Sequence, residues 1–217
     1  MRNRALGWLT GLALLAGLAV AFGYAPREAA QGNVQRIMYL HVPSILTAYL
    51  AFGLVLLGSI GYLATRGQGW DRLAASASEL GVLFTGVTIV TGSIWGKPTW
   101  GTWWTWDARL TSTAVLFLVY TGYLLLRGMV DEPERRGRYA AVVGIVGAAN
   151  IPIVHFSVKW WRALHQPSTI LGPEPSPIAA PIATALLVNW VAFTLLFVYF
   201  LARRIEIARL DDGAVDA

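Results

Sequence analysis

The chain has 217 residues, 56% of them hydrophobic and only 13% charged, with a mean hydropathy of +0.54. A soluble domain of this size has no room to hide that much apolar surface, so the class is integral membrane. The net charge of +5 fits a cytoplasmic-loop excess of Lys and Arg rather than nucleic-acid binding, and the absence of cysteine excludes disulfides, thiol redox chemistry and a thioether-linked cofactor.

Six segments are long and apolar enough to cross a hydrocarbon core that needs about 20 residues, which makes the fold all-α: a polytopic, six-helix membrane domain spanning residues 1–217. The first segment, 5–25, follows Arg2 and Arg4 and so resembles a signal peptide. Its apolar stretch is longer than the usual signal core and lacks a clear cleavage site, which favours a helix. The second, 42–65, carries Pro43 in its expected first turn, where proline is tolerated. The third, 73–94, places Glu79 near its start. The fourth is 110–126, the fifth is 139–156 with Asn150 and Pro152 bending it, and the sixth is 178–202. The small acidic tail 211–217 is expected to be disordered.

Loop charge gives the orientation. Arg2, Arg4, Arg66, Arg72, Arg127, Arg135, Arg136, Arg138, Arg203, Arg204 and Arg209 lie on one side; Arg27, Arg36, Lys97, Arg109, Lys159 and Arg162 lie on the other. By the positive-inside rule the first side is cytoplasmic, so both termini are inside. Loops 26–41, 95–109 and 157–177 then face outward, which in a bacterial inner membrane is the periplasm. The third of these is expected to hold a short interfacial helix over 158–164 and then an extended stretch punctuated by Pro167, Pro173, Pro175 and Pro177.

Residues 95–107 read WGKPTWGTWWTWD and hold Trp95, Trp100, Trp103, Trp104 and Trp106, half of the chain's 10 tryptophans. Gly96, Pro98 and Gly101 are helix breakers, so the stretch reads as a loop between the third and fourth helices. Indoles favour the water–lipid boundary, yet a belt spreads over several helix ends. Five indoles in one short loop form a flat aromatic platform for a ligand. Asp107, just before the fourth helix, is placed to cap it.

All 3 histidines fall on the outer side: His41 immediately before the second helix, His155 in the expected last turn of the fifth, and His165 in the loop beyond. A lone histidine at a helix end is commonly a solvated or capping residue. Two of them from separate helices, beside a loop of indoles, match what haem needs: axial imidazoles, an aromatic surface and a few cations at the propionate edge. Lys97, Arg109, Lys159 and Arg162 are the candidate cations.

The segment WGKPTWGTWWTWDARLTS resembles the tryptophan-rich "WWD" signature of the haem-handling membrane proteins of cytochrome c maturation. MYLHVPS before the second helix and IPIVHFSVKWWRALHQPSTI around the fifth are similar to the haem exporter protein C (CcmC) branch, and the resemblance covers about residues 35–202. It implies non-covalent haem b held at the outer face by two axial histidines, carried over onto His41 and His155, with Trp95 through Asp107 contacting haem and acceptor. His165 receives no ligand role. The implied partners are a membrane-anchored periplasmic haem chaperone (CcmE), a small single-span protein (CcmD) and an ATP-binding-cassette transporter (CcmA and CcmB). The implied task is transfer of haem to the chaperone, with no catalytic constellation.

Three other readings remain open. A bis-histidine b-type electron-transfer subunit predicts a buried, non-exchanging haem with histidines well inside the helices. A transporter with a tryptophan cage for an organic cation predicts a polar track at mid-membrane, of which only Glu79 is a hint. A protein-docking patch would use the tryptophans without haem.

Overall fold

The computed structural model describes residues 2–161, 163–165 and 178–215. Among these the structure is helical throughout, apart from loops and one isolated bridge between Glu28 and Gly32. Helix α1 (Arg2–Ala19) runs into a π-helical turn, Val20–Tyr24, and a 3-10 turn, Val34–Ile37, leads into α2 (Met38–Thr65). Next come α3 (Gln68–Trp100), α4 (Ala108–Met129), α5 (Pro133–Ala148), α6 (Asn150–Trp160) and α7 (Ala180–Val215). With α5 and α6 stacked end to end as one span, 6 helices are long and apolar enough to cross a membrane, as the hydropathy pattern predicted.

Close-packed α2 and α3 form the central hairpin. Arg66 caps α2 in the left-handed conformation (φ 57°) and donates its N–H to Tyr62 O at 2.8 Å. Ala48, Ala51, Ala74 and Ala77 are buried between the two helices, and Gly81 leaves the room that the Phe52 ring fills. Small residues let helix backbones approach in lipid, where apolar burial gives no drive of its own. Phe52 stacks on Tyr120 of α4 with centroids 3.8 Å apart, and Tyr120 Oη donates to Gly144 O of α5 at 3.0 Å. Helix α1 docks on α7, where Asn189 Nδ2 donates to Gly17 O at 3.1 Å.

At the arginine-rich end, Arg127 grips Asp71 through two bonds of 2.7 Å, and Arg204 grips Glu79 at 2.5 and 2.8 Å. Because α3 starts at Gln68 rather than at the expected residue 73, Glu79 lies well inside the helix rather than near its start. Its charge is paired, which is how an ionised group is tolerated there.

Four expected boundaries are corrected. Helix α2 starts at Met38, so His41 sits on its first turn and Pro43 falls inside it; the 3-10 turn feeds straight into the helix, and proline removes only the bond to the Tyr39 carbonyl. Helix α3 runs through Trp100, so Trp95, Gly96, Pro98 and Trp100 are helical rather than part of a loop. Pro98 lies in the final turn, and only Gly101 (φ 79°) stops the helix, donating to Lys97 O at 3.0 Å. The fifth span breaks at Ala149, where Asn150 Nδ2 donates across to Ser112 O of α4 at 2.8 Å and Pro152 has no N–H for the Ala148 carbonyl. It then continues to Trp160, which places His155 before the last turn and replaces the expected separate helix over 158–164; Trp161 is already extended. Finally, α7 carries the tail in helical form to Val215 instead of ending at residue 202. The prolines expected at 167–177 lie outside the described residues.

A cavity walled by tryptophan and histidine

At the end of the bundle away from the Asp71–Arg127 pair, α2, α3, α4 and α6 line a cavity of about 250 Å³. His41, His155 and His165 all line it, as do Trp95, Trp100, Trp104 and Arg109. Helix α3 supplies one wall through Thr88, Gly92, Trp95 and Thr99, whose spacing of three and four keeps them on one face. That face continues into the tryptophan segment because the helix does.

His41 projects from the first turn of α2 with its Nδ1 at 3.1 Å from Thr91 Oγ1. Trp95 meets the imidazole edge-on, centroids 5.7 Å apart, and its own Nε1 donates to Gln31 Oε1 at 2.8 Å. Gln31 is held in turn by its backbone N–H on Glu28 Oε2, so the loop after α1 helps fix the cavity's aromatic wall. His165 packs edge-on against Trp100 at 4.6 Å and turns its Nδ1 toward Asp107 Oδ2, 3.5 Å away. Its side chain is only 18% exposed. Burial pushes its pKa below the ordinary value of 6.5, with Arg109 acting in the same direction and Asp107 opposing both; at neutral pH the ring is therefore uncharged. His155 is half-buried, with its ring edge-on to Phe156 at 4.9 Å and its carbonyl accepting from Arg109 Nη2 at 3.1 Å.

Asp107 does two things. Its Oδ1 accepts from the Leu110 N–H at 2.9 Å, capping α4 as its position predicted, while Oδ2 faces His165. The tryptophans also divide. Trp95, Trp100 and Trp104 line the cavity, and the buried Trp104 Nε1 has no hydrogen-bond partner among the described residues. Trp103 and Trp106 stay outside it, 57% and 80% exposed.

The chain matches the family described as Heme exporter protein C over residues 2–213. The Heme exporter protein C of Bradyrhizobium diazoefficiens is 43% identical over 95% of this chain and 80% of its own length. That of Haemophilus influenzae is 34% identical over 95% of this chain and 84% of its own, and that of Escherichia coli K12 is 40% identical over 79% of this chain and 66% of its own. This chain belongs to the Heme exporter protein C family.

For a Heme exporter protein C, the cavity makes a finer selection than the motif. Among the described residues, Arg109 is the one candidate cation that lines it. Lys97 Nζ donates to Gly101 O at 3.0 Å and so caps α3, Lys159 lies over the Phe156 ring, and Arg162 is outside the described residues. Gln31, Thr91 and Gly92 went unnoticed in the sequence. For Thr91 and Gly92 the available signal is the helical spacing of Thr88, Gly92 and Trp95, which becomes one continuous face only because α3 runs on past residue 94; Gln31 lies in the loop after α1 and carries no such signal.

Proposed function

We propose that this chain binds haem in the tryptophan-walled cavity and hands it on to a haem chaperone. The observation that carries the reading is the convergence of three imidazoles and three indoles on one cavity at the end of the bundle poor in Lys and Arg. A porphyrin fits that lining: aromatic walls take the ring, neutral imidazole nitrogens take the iron, and Arg109 with the unpartnered Trp104 Nε1 takes a propionate. His41 is one axial ligand. For the second, His155 was the expected choice, but ring geometry favours His165. A carboxylate facing Nδ1 fixes the tautomer that leaves Nε2 free, the pattern by which metal-binding histidines are oriented. Among the described residues no hydrogen bond orients the ring nitrogens of His155.

Loop charge puts this cavity on the periplasmic face of a bacterial inner membrane, with both termini in the cytoplasm. The haem is haem b, held without a covalent bond, since the chain has no cysteine. Trp103 and Trp106, facing out beside the cavity mouth, are where the chaperone (CcmE) docks; the single-span protein (CcmD) and the transporter subunits (CcmA and CcmB) complete the assembly. The protein's work is binding and release, not bond chemistry.

The test is haem release. The detergent-purified protein loaded with haem is mixed with an apo-acceptor, first apomyoglobin and then the chaperone's soluble domain. Transfer within minutes to the chaperone domain, faster than to apomyoglobin, is the expected result. A haem that stays on the protein against both acceptors would favour the b-type electron-transfer reading, and a protein that takes up no haem would favour the docking patch.

A further inference from the structure

We propose that Thr91 and Gly92 form a cradle on α3 that fixes the tautomer and position of His41, with Thr91 the positioning residue for that ligand. The inference rests on the haem reading above. Thr91 is buried, and its Oγ1 lies 2.7 Å from the Val87 carbonyl and 3.3 Å from that of Thr88. A hydroxyl has one proton and two lone pairs. The proton goes to Val87, the nearer carbonyl one turn back, so the oxygen can only accept from the His41 Nδ1 at 3.1 Å. His41 therefore carries its proton on Nδ1, and the lone pair that an iron needs is left on Nε2. Threonine suits the task because its branched Cβ restricts χ1 and holds the oxygen in place.

Gly92 supplies the space. A Cβ there would stand 2.9 Å from His41 Cε1 and 3.4 Å from Nδ1, so any side chain pushes the imidazole off the helix. One turn after Thr91, Trp95 closes on the same ring. Four residues of one helix thus meet a single imidazole on another: the Thr91 hydroxyl and the Thr88 backbone as polar contacts, Gly92 as a gap and Trp95 as an aromatic edge. A threonine that merely hid its hydroxyl in the helix would need only the bond to Val87.

Haem is titrated into the detergent-purified full chain as wild type, Thr91→Val, Thr91→Ser, Gly92→Ala and His41→Ala, reading the dissociation constant, the low-spin absorption bands and the midpoint potential. Thr91→Val keeps the shape and removes the acceptor. It is expected to weaken haem binding roughly 10–100-fold, the usual loss for an outer-shell partner, and to raise the midpoint potential, because an imidazole without that acceptor is the poorer electron donor. Thr91→Ser restores both, and Gly92→Ala loses the low-spin bands. If Thr91→Val does not survive purification, Thr91→Ala carries the same comparison. The proposal is overturned if the Thr91 variants keep wild-type affinity, bands and potential while His41→Ala loses the low-spin spectrum. If His41→Ala itself keeps that spectrum, the assignment of His41 as a ligand is what fails, and the cradle falls with it.

Discussion

The three histidines do not stand alike in the cavity, and their differences are chemical. His41 has an acceptor on Nδ1 in Thr91, and His165 has a carboxylate near Nδ1 in Asp107. His155 contributes its carbonyl to Arg109, and among the described residues its ring makes an aromatic contact with Phe156 and no hydrogen bond. The buried His165 is held below its ordinary pKa, so its neutral form is the native one. A group with a depressed folded pKa contributes its stability in full above the unfolded value, and that contribution falls as pH drops below it. Acidification from pH 7.5 is therefore expected to weaken the Asp107–Trp100–His165 corner once the pH passes below 6.5. Thermal unfolding in detergent across this range checks it, with His165→Phe showing a flatter profile. A wild-type profile identical to that of the variant would count against the assignment. Trp104→Phe keeps an aromatic ring and removes the buried donor that has no hydrogen-bond partner among the described residues. It is expected to weaken haem binding by about 1 kcal/mol, roughly the net worth of one hydrogen bond, whereas Trp106→Phe, outside the cavity, leaves haem affinity unchanged.

At the level of elements, the six spans were legible because apolar length is a strong signal. Their ends were not, because helix breakers act through context. Pro98 and Gly96 looked like the start of a loop, yet Pro98 sits where only the Ile94 carbonyl loses a partner, and Gly96 is needed because Thr102 O and the Trp100 ring come within 3.3 and 3.2 Å of where its Cβ would be. Gly101 alone has the positive φ that ends the helix. The single-letter pattern does not distinguish these three uses. Gly101→Ala is expected to cost about 1–2 kcal/mol through its left-handed backbone, while any cost of Gly96→Ala comes from pushing back the Trp100 ring and the Thr102 carbonyl. Melting temperatures of the two variants, read beside their haem spectra, separate strain from clash. The Trp–Asp motif and the three histidines at one end of the spans stand out in the sequence, but the approach of His165 to Asp107 is a through-space fact between residues 58 apart. The pair Asp71–Arg127 was likewise not legible: Arg127 reads as one of the loop arginines, and nothing in the sequence joins it to Asp71, 56 residues away. Removing one member of a buried pair leaves the other charge uncompensated, so Asp71→Ala is expected to destabilise by about 3–5 kcal/mol, with Asp71→Ala/Arg127→Met recovering most of it; denaturation in mild detergent reads both.

Across the whole molecule, the chemistry is segregated. The arginine-rich half is structural: arginines paired with Asp71 and Glu79, small residues packing α2 on α3, and aromatic stacking of Phe52 on Tyr120. The opposite end holds the histidines and the cavity. A site at helix ends suits a ligand that must leave, and a site at mid-membrane suits one that stays. The charge asymmetry of the loops predicts a topology: single cysteines introduced at residues 68 and 103 of this cysteine-free chain should label from opposite faces of intact cells, with 103 reacting from outside. The most direct test of the account is the visible absorption spectrum of the haem-loaded protein, wild type beside His41→Ala, His155→Ala and His165→Ala. The account predicts a six-coordinate low-spin spectrum that is lost in His41→Ala and His165→Ala and kept in His155→Ala. Loss in His155→Ala with retention in His165→Ala would return the second ligand to His155, and a wild-type spectrum in all three variants would contradict the claim that this cavity holds the iron.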